Sequence, residues 1–300
     1  MTNKNAEDKS KMGAWVLATR PRTLPAAIAP VVLGSAMAIA DKNFVWLPAA
    51  AAFSVALLLQ IGANLANDYF DYLKGIDTTD RLGPLRVTQS GLIPATQVKA
   101  GMIMTLILSM IPGIYLLAVG GLPVFIIGLA CICAALAYSG GPYPLASHGL
   151  GDLFVFIFFG LVAVCGTYYV QALQLTAMVL LMGVIAGLLI TAILVVNNLR
   201  DIQSDRQTGK RTLAVIIGIR GSRIEYVLLL AGAYAIPIIL WLSGRMSAWV
   251  LLPLISMPTV LSLMRLVWKN PEGPILNQAL AKTARLALVY SLLLAIGLIL

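Results

Sequence analysis

The chain has 300 residues, of which 60% are hydrophobic and only 11% charged, with a net charge of +9. Soluble domains sit nearer half apolar and a quarter charged, so a mean hydropathy of +0.91 excludes an ordinary soluble domain and points to a membrane protein. The apolar runs are continuous rather than alternating, which excludes a membrane β-barrel.

A polar tail over residues 1–23 comes first, and the apolar run after it reads as an anchor rather than a cleaved signal peptide. Roughly 20 helical residues cross a bilayer core. Nine runs approach that length: 24–40, 46–66, 100–119, 122–139, 152–170, 176–196, 224–242, 246–264 and 284–300. The expected fold is therefore all-α and polytopic, a single domain over 1–300 with nine transmembrane helices in a bundle. With the N-terminus in the cytoplasm, 19 of the 21 Lys and Arg residues fall on the inside, leaving Lys42 and Arg245 outside. Cytoplasmic loops carry such an excess, so the bias sets the orientation. It also accounts for a pI of 9.6 without a nucleic-acid partner. Trp46, Trp241 and Trp249 are expected at the outer interface.

Cys131, Cys133 and Cys165 lie inside predicted spans, where a thiol packs as a small apolar residue. The single histidine, His148, has no second His or Cys partner in its loop, which argues against a zinc site or a Ser-His-Asp triad. The polar residues concentrate in three inside loops, about 67–99, 138–152 and 197–223, whereas the outside connections are short and plain. Long polar loops on a rigid frame are where function usually sits.

Two of these loops echo one another. Segment 67–71 is NDYFD and segment 197–201 is NNLRD, an offset of 130 residues, and the second continues to Asp205. Asp68 and Asp71 are three apart and Asp201 and Asp205 four apart, so each pair shares a helix face. Each is expected at a helix C-terminus, where the dipole is already negative and like charges repel. A divalent cation resolves the conflict. Oxygen ligands, with Asn67, Asn197 and Asn198 alongside and no His or Cys, favour Mg²⁺.

Mg²⁺ usually bridges one or two carboxylates to substrate phosphates. Lys74, Arg81 and Arg86 follow the first cluster, and Arg206, Lys210 and Arg211 the second, which together make a diphosphate clamp. An apolar interior behind that clamp suits a lipid diphosphate with its tail between helices, open to the bilayer. Metals and Lys/Arg stabilise the departing diphosphate, and an apolar bundle keeps water from the allylic cation.

At these residues the chain resembles the UbiA superfamily of intramembrane aromatic prenyltransferases. The likeness runs over nearly the whole length, through an N-D-x-x-D cluster after the second run and a D-x-x-x-D after the sixth. The segments RPRTLPAAIAPVVLGSA (20–36), NDYFDYLKGIDTTDRLGP (67–84), RVTQSGLI (86–93) and NNLRDIQSDRQTGKRTLAV (197–215) are most similar to its 1,4-dihydroxy-2-naphthoate branch, which serves menaquinone synthesis. Thr88-Gln89-Ser90-Gly91 and the leading Asn67 depart from the pattern of the 4-hydroxybenzoate branch.

The resemblance implies a Mg²⁺-dependent enzyme of the bacterial inner membrane with its active site facing the cytoplasm. Its substrates would be a polyprenyl diphosphate of octaprenyl-like length and 1,4-dihydroxy-2-naphthoate, and its product demethylmenaquinone, with loss of CO₂ and diphosphate. It further implies that Asn67, Asp68, Asp71, Asp201 and Asp205 hold Mg²⁺, with Asn198 as a polar supporter. Lys210, Arg211 and Arg22 would contact phosphate oxygens, with Lys74 and Arg86 on the substrate side of the clamp. Asp77 would complete the first cluster or orient the aromatic substrate. Tyr138 and Tyr143 would stack on the ring or shield the cation, or else belong to an interfacial aromatic belt.

Two other classes remain as alternatives. A divalent-cation- or proton-coupled transporter usually keeps its ionisable residues near the bilayer midplane, and here they lie at helix ends on one side. A lipid-diphosphate phosphatase would depend on His148.

Overall fold

The structure is a computed structural model and describes residues 11–76, 83, 85–270, 273 and 275–300. Among them all regular structure is helical. The elements are α1 (Lys11–Ala18), α2 (Pro25–Ala40), α3 (Trp46–Leu73), α4 (Ala95–Ala137), α5 (Gly151–Ala172), α6 (Ala177–Arg200), α7 (Ile202–Gln207), α8 (Leu213–Leu242), α9 (Met257–Lys269) and α10 (Ile275–Ile299). A 3₁₀ segment, Ala248–Ser256, leads directly into α9.

Local chemistry sets several starts. Pro25 opens α2 at a position where its missing N–H costs nothing. The hydroxyls of Thr176 and Thr212 accept the backbone N–H groups of Val179 and Val215, capping α6 and α8.

Among the described residues, seven helices are long and apolar enough to cross a bilayer: α3, α4, α5, α6, α8, α10 and the continuous segment Ala248–Lys269. The expected count of nine differs for two physical reasons. The run at 24–40 forms a helix of only 16 residues, and it follows the segment Lys11–Thr23 across a 52° bend. The runs at 100–119 and 122–139 are merged in the 43-residue α4, which is broken at Gly121, φ 65°. That left-handed backbone is one only glycine adopts freely.

The most buried span is α6, packed between α5, α8, α10 and α2. It meets α5 almost backbone to backbone. A Cβ on Gly160 would stand 2.5 Å from the Gly187 Cα and 2.7 Å from the Gly183 carbonyl. Close approach through small residues is how helices associate where lipid removes the hydrophobic drive. On the other side α3 and α4 pair extensively. Between the two groups, bounded by α2 to α6, lies a cavity of about 420 Å³. Cys131, Cys133 and Cys165 are free thiols; Cys165 is buried, whereas Cys133 is exposed.

Candidate active site

Four polar residues of α3, Gln60, Asn64, Asn67 and Asp71, recur at intervals of four, three and four, which puts them on one helix face. All four line the cavity. From α6, Asn197 and Asn198 line it too, followed by Asp201 at the helix end and Asp205 on α7. These residues form one polar mouth. Deeper in, the walls are apolar: Ala52, Leu116, Val124 and Val170. Gly113, Gly128 and Gly166 also line the cavity, with open space where a Cβ would stand.

The two echoing clusters meet across this mouth. Lys210 Nζ donates to Asp71 Oδ2 at 3.2 Å over a separation of 139 positions. Arg86 Nη2 donates to the same oxygen, also at 3.2 Å. The turn that brings Lys210 round passes through Gly209 at φ +77° and closes with the Lys210 N–H on the Asp205 carbonyl at 2.8 Å.

Asn67 is held between two partners. Arg20 Nη2 donates to its Oδ1 at 2.9 Å, and its Nδ2 donates to Ser139 Oγ at 2.7 Å. Arg20 has φ 52°, an uncommon backbone for a non-glycine residue and one that tends to mark functional sites. In the second cluster, Arg200 donates to both oxygens of Asp201, at 2.8 and 2.5 Å, and to Asn197 Oδ1 and Asn277 Oδ1 at 2.9 Å each. Arg200 is 1% exposed, a guanidinium wholly committed to fixing its neighbours.

Burial holds the Tyr138 phenol above its ordinary pKa; Asp152, Asp71 and Asp205 push the same way and Arg20 opposes them. Tyr138 lines the cavity, so a neutral phenol side chain stands there. Burial lowers the Lys74 ammonium from its usual value, with Asp71 opposing and Lys210 reinforcing.

Residues 27–298 match the UbiA prenyltransferase family. The chain belongs to that family. It is 38% identical over 297 residues to the 1,4-dihydroxy-2-naphthoate octaprenyltransferase of Escherichia coli, covering 97% of this chain and 96% of that protein. It is 39% identical over 281 residues to the protein of that name in Mycobacterium tuberculosis, covering 94% and 95%. The fold matches a UbiA homologue from Archaeoglobus fulgidus bound to GPP and Mg²⁺, with a TM-score of 0.66, 14% identity and coverage of 95% and 99%. A UbiA homologue from Aeropyrum pernix gives the same TM-score at 17% identity, with coverage of 90% and 96%.

Within this UbiA fold the residues singled out in the sequence divide into two groups. Asn67, Asp71, Arg86, Tyr138, Asn198, Asp201, Asp205 and Lys210 all line the cavity. Asp68 is buried but turns its carboxylate to the turn after residue 85, where Oδ2 and Oδ1 accept the Val87 and Thr88 N–H groups, each at 3.2 Å. Lys74 donates to the Ser139 carbonyl at 2.7 Å, tying the end of α3 to the start of the 138–152 loop. Arg22 is exposed and does not line the cavity, whereas Arg20, two residues earlier, does. Arg211 is exposed as well; its N–H donates to the Ser147 carbonyl at 3.0 Å. Tyr143 is 58% exposed and stacks on His148 with ring centroids 3.6 Å apart, and neither lines the cavity. Asp77 lies outside the described residues.

Sequence reasoning missed Arg20, Gln60, Asn64, Ser139 and Arg200. The four-three-four stripe on α3 was the available signal for Gln60 and Asn64. Both serve the entry to α2: Asn64 Nδ2 donates to the Thr19 carbonyl and Thr23 Oγ1, and Gln60 Nε2 to Thr23 Oγ1.

Proposed function

We propose that this chain transfers a polyprenyl group from an allylic polyprenyl diphosphate of octaprenyl-like length to 1,4-dihydroxy-2-naphthoate. CO₂ and diphosphate are lost and the demethylmenaquinone skeleton forms. The observation that carries this reading is the Asp71–Lys210 pair, which joins both acidic clusters and a cationic rim at the polar end of an apolar cavity. Relatives that cover nearly the whole chain and are named for this transfer support the choice of acceptor.

The donor set fits Mg²⁺. Asn67, Asp71, Asn198, Asp201 and Asp205 offer only oxygen and amide groups at the mouth. Among the described residues no three His, Cys, Asp or Glu side chains stand close enough to hold a metal by themselves. Asp71 on one side and Asp201 and Asp205 on the other would hold the ion together with phosphate oxygens of the substrate. When bound, Mg²⁺ neutralises charge on the departing diphosphate.

Arg20, Arg86 and Lys210 supply further positive charge at the same rim, and Arg86 and Lys210 reach phosphate oxygens on exchanging partners with Asp71. The allylic C–O bond breaks with its electron pair leaving on the diphosphate. Tyr138 presents its ring face to the cation. The apolar wall from Leu59 down to Ala52 holds the isoprenoid chain and excludes water. From Asn67 to Ala52 the cavity follows α3 for roughly 22 Å at the helical rise. The ring carbon bearing the carboxylate forms the new C–C bond, and the electrons of its bond to CO₂ restore aromaticity.

We read the bent α1–α2 segment as one span and α4 as two, which gives nine crossings; in this reading the N-terminus and the mouth face the cytoplasm of a bacterial inner membrane and the cavity opens to lipid. The positive-inside count supports this orientation.

The test is purified protein with Mg²⁺, a polyprenyl diphosphate and a panel of aromatic acids, read by product mass and CO₂ release. Prenylated naphthoquinol with stoichiometric CO₂ is expected. Transfer to 4-hydroxybenzoate with its carboxylate retained would replace the proposed acceptor. Diphosphate hydrolysis without C–C bond formation would overturn the transferase reading.

A further inference from the structure

Asp68 sits in the motif as if it were a metal ligand, yet its surroundings give it other work. It is 2% exposed and absent from the cavity wall. Its two oxygens are taken by consecutive backbone donors, the N–H groups of Val87 and Thr88. A carboxylate that accepts two amides in this way acts as a backbone clamp, with one acceptor site on each oxygen turned to the chain and the side chain away from the cavity wall.

The clamped segment is a compact turn. Ser90 N–H returns to the Arg86 carbonyl, and the Leu92 and Ile93 N–H groups return to Val87. Val87 and Ile93 are buried in a small core with Ala14, Ala18, Leu65 and Val98, so the turn is pinned from below by packing and from α3 by Asp68. The residue just before the clamp is Arg86, whose guanidinium reaches Asp71 one helical turn further along α3. Asp68 and Asp71 thus grip the same turn, one by its backbone and one by its side chain.

We infer that Asp68 is a positioning residue for the diphosphate end of the substrate, acting through Arg86, and that it is not a ligand of the metal. This rests on the proposal that Arg86 contacts phosphate oxygens. Asp68 fixes the backbone at Val87 and Thr88, and that aims Arg86 at the mouth.

The test combines a double-mutant cycle with hydrogen exchange. In purified protein, R86A raises KM for the polyprenyl diphosphate, and D68N raises it by a similar factor, about tenfold for a supporting partner of this kind. The double variant D68N/R86A is no worse than R86A alone, and at saturating diphosphate the Mg²⁺ concentration for half-maximal rate is unchanged in D68N. In the unmutated protein, exchange of the 85–93 amides stays slow when Mg²⁺ and inorganic diphosphate are added together, because Asp68 keeps its two N–H partners.

Three results overturn the inference. One is a D68N protein with normal KM beside an impaired R86A. Another is additive losses with a raised Mg²⁺ requirement in D68N. The third is faster exchange at 85–93 on adding Mg²⁺ and diphosphate to the unmutated protein, which needs no variant to fold. Normal KM in R86A removes the phosphate role of Arg86 and this inference with it, whereas the second and third results leave the transferase reading intact.

Discussion

The two acidic helix ends read as copies 130 residues apart, but the protein holds them by different means. Asp71 belongs to α3 and is gripped by cations from elsewhere: Arg86 from the following turn and Lys210 from beyond α6. Asp201 ends α6 and takes both its carboxylate contacts with Arg200 from the adjacent residue, with Asn277 of α10 bracing the guanidinium. The first end is assembled by partners from two distant segments, and the second is built in by the arginine next to it in sequence. Both pairs with arginine are buried, so the difference lies in how far along the chain each acid finds its partner.

Removing the metal should affect both sides alike and most severely. Chelation with EDTA is expected to take prenyl transfer to background and leave helicity and the thermal midpoint nearly unchanged, since Arg86, Lys210 and Arg200 already balance the acids. Loss of helical circular dichroism on chelation would show that the metal is structural.

Arg200→Ala and Arg86→Ala should separate the sides. Breaking the buried Arg200–Asp201 pair leaves an uncompensated carboxylate at a cost of about 3–5 kcal/mol, read as a large drop in thermal midpoint. Arg86→Ala leaves Asp71 with Lys210, so its stability loss should be clearly smaller while KM for the diphosphate rises. Equal destabilisation by the two variants would erase the contrast.

Asp71→Ala and Asp201→Ala are each expected to lower kcat by at least about a hundredfold, the scale for removing one group that stabilises developing charge. Membrane insertion should persist. Near-normal turnover in both would remove the metal clamp from the mechanism.

The smallest effects belong to the pair outside the mouth. Tyr143→Ala and His148→Ala should leave prenyl transfer near normal and change stability by no more than about 0.5 kcal/mol, as surface substitutions do. A collapse in His148→Ala would instead revive the phosphatase class.

Much of this was legible beforehand because bilayers demand long apolar helices and because acids are scarce in such a chain. The run at 46–66 found α3, although the helix continues to Leu73 and carries its acids inside the helix. The run at 284–300 missed the start of α10 at Ile275, since Asn277 and Lys282 break the apolar pattern. The spacing of Asp68 and Asp71 placed both on one face, and both do meet the same turn. What lay opposite them was not legible, because a turn at 86–93 is positioned by Val87 and Ile93 in a core formed from distant segments. Arg22 and Arg20 are equivalent as topology charges, and only the left-handed backbone at Arg20 and its bond to Asn67 tell them apart.

The Lys210–Asp71 contact also bears on how the protein is made. The chain emerges from its N-terminus, so α3 and the Arg86 turn exist before α6 and the loop beyond it. The strap between the two halves spans 139 positions and cannot close until that later loop has been delivered. A nascent chain stopped after α5 therefore has its first acids and only part of its apolar cavity wall, and the mouth is complete only once α6 and the loop beyond it have been made.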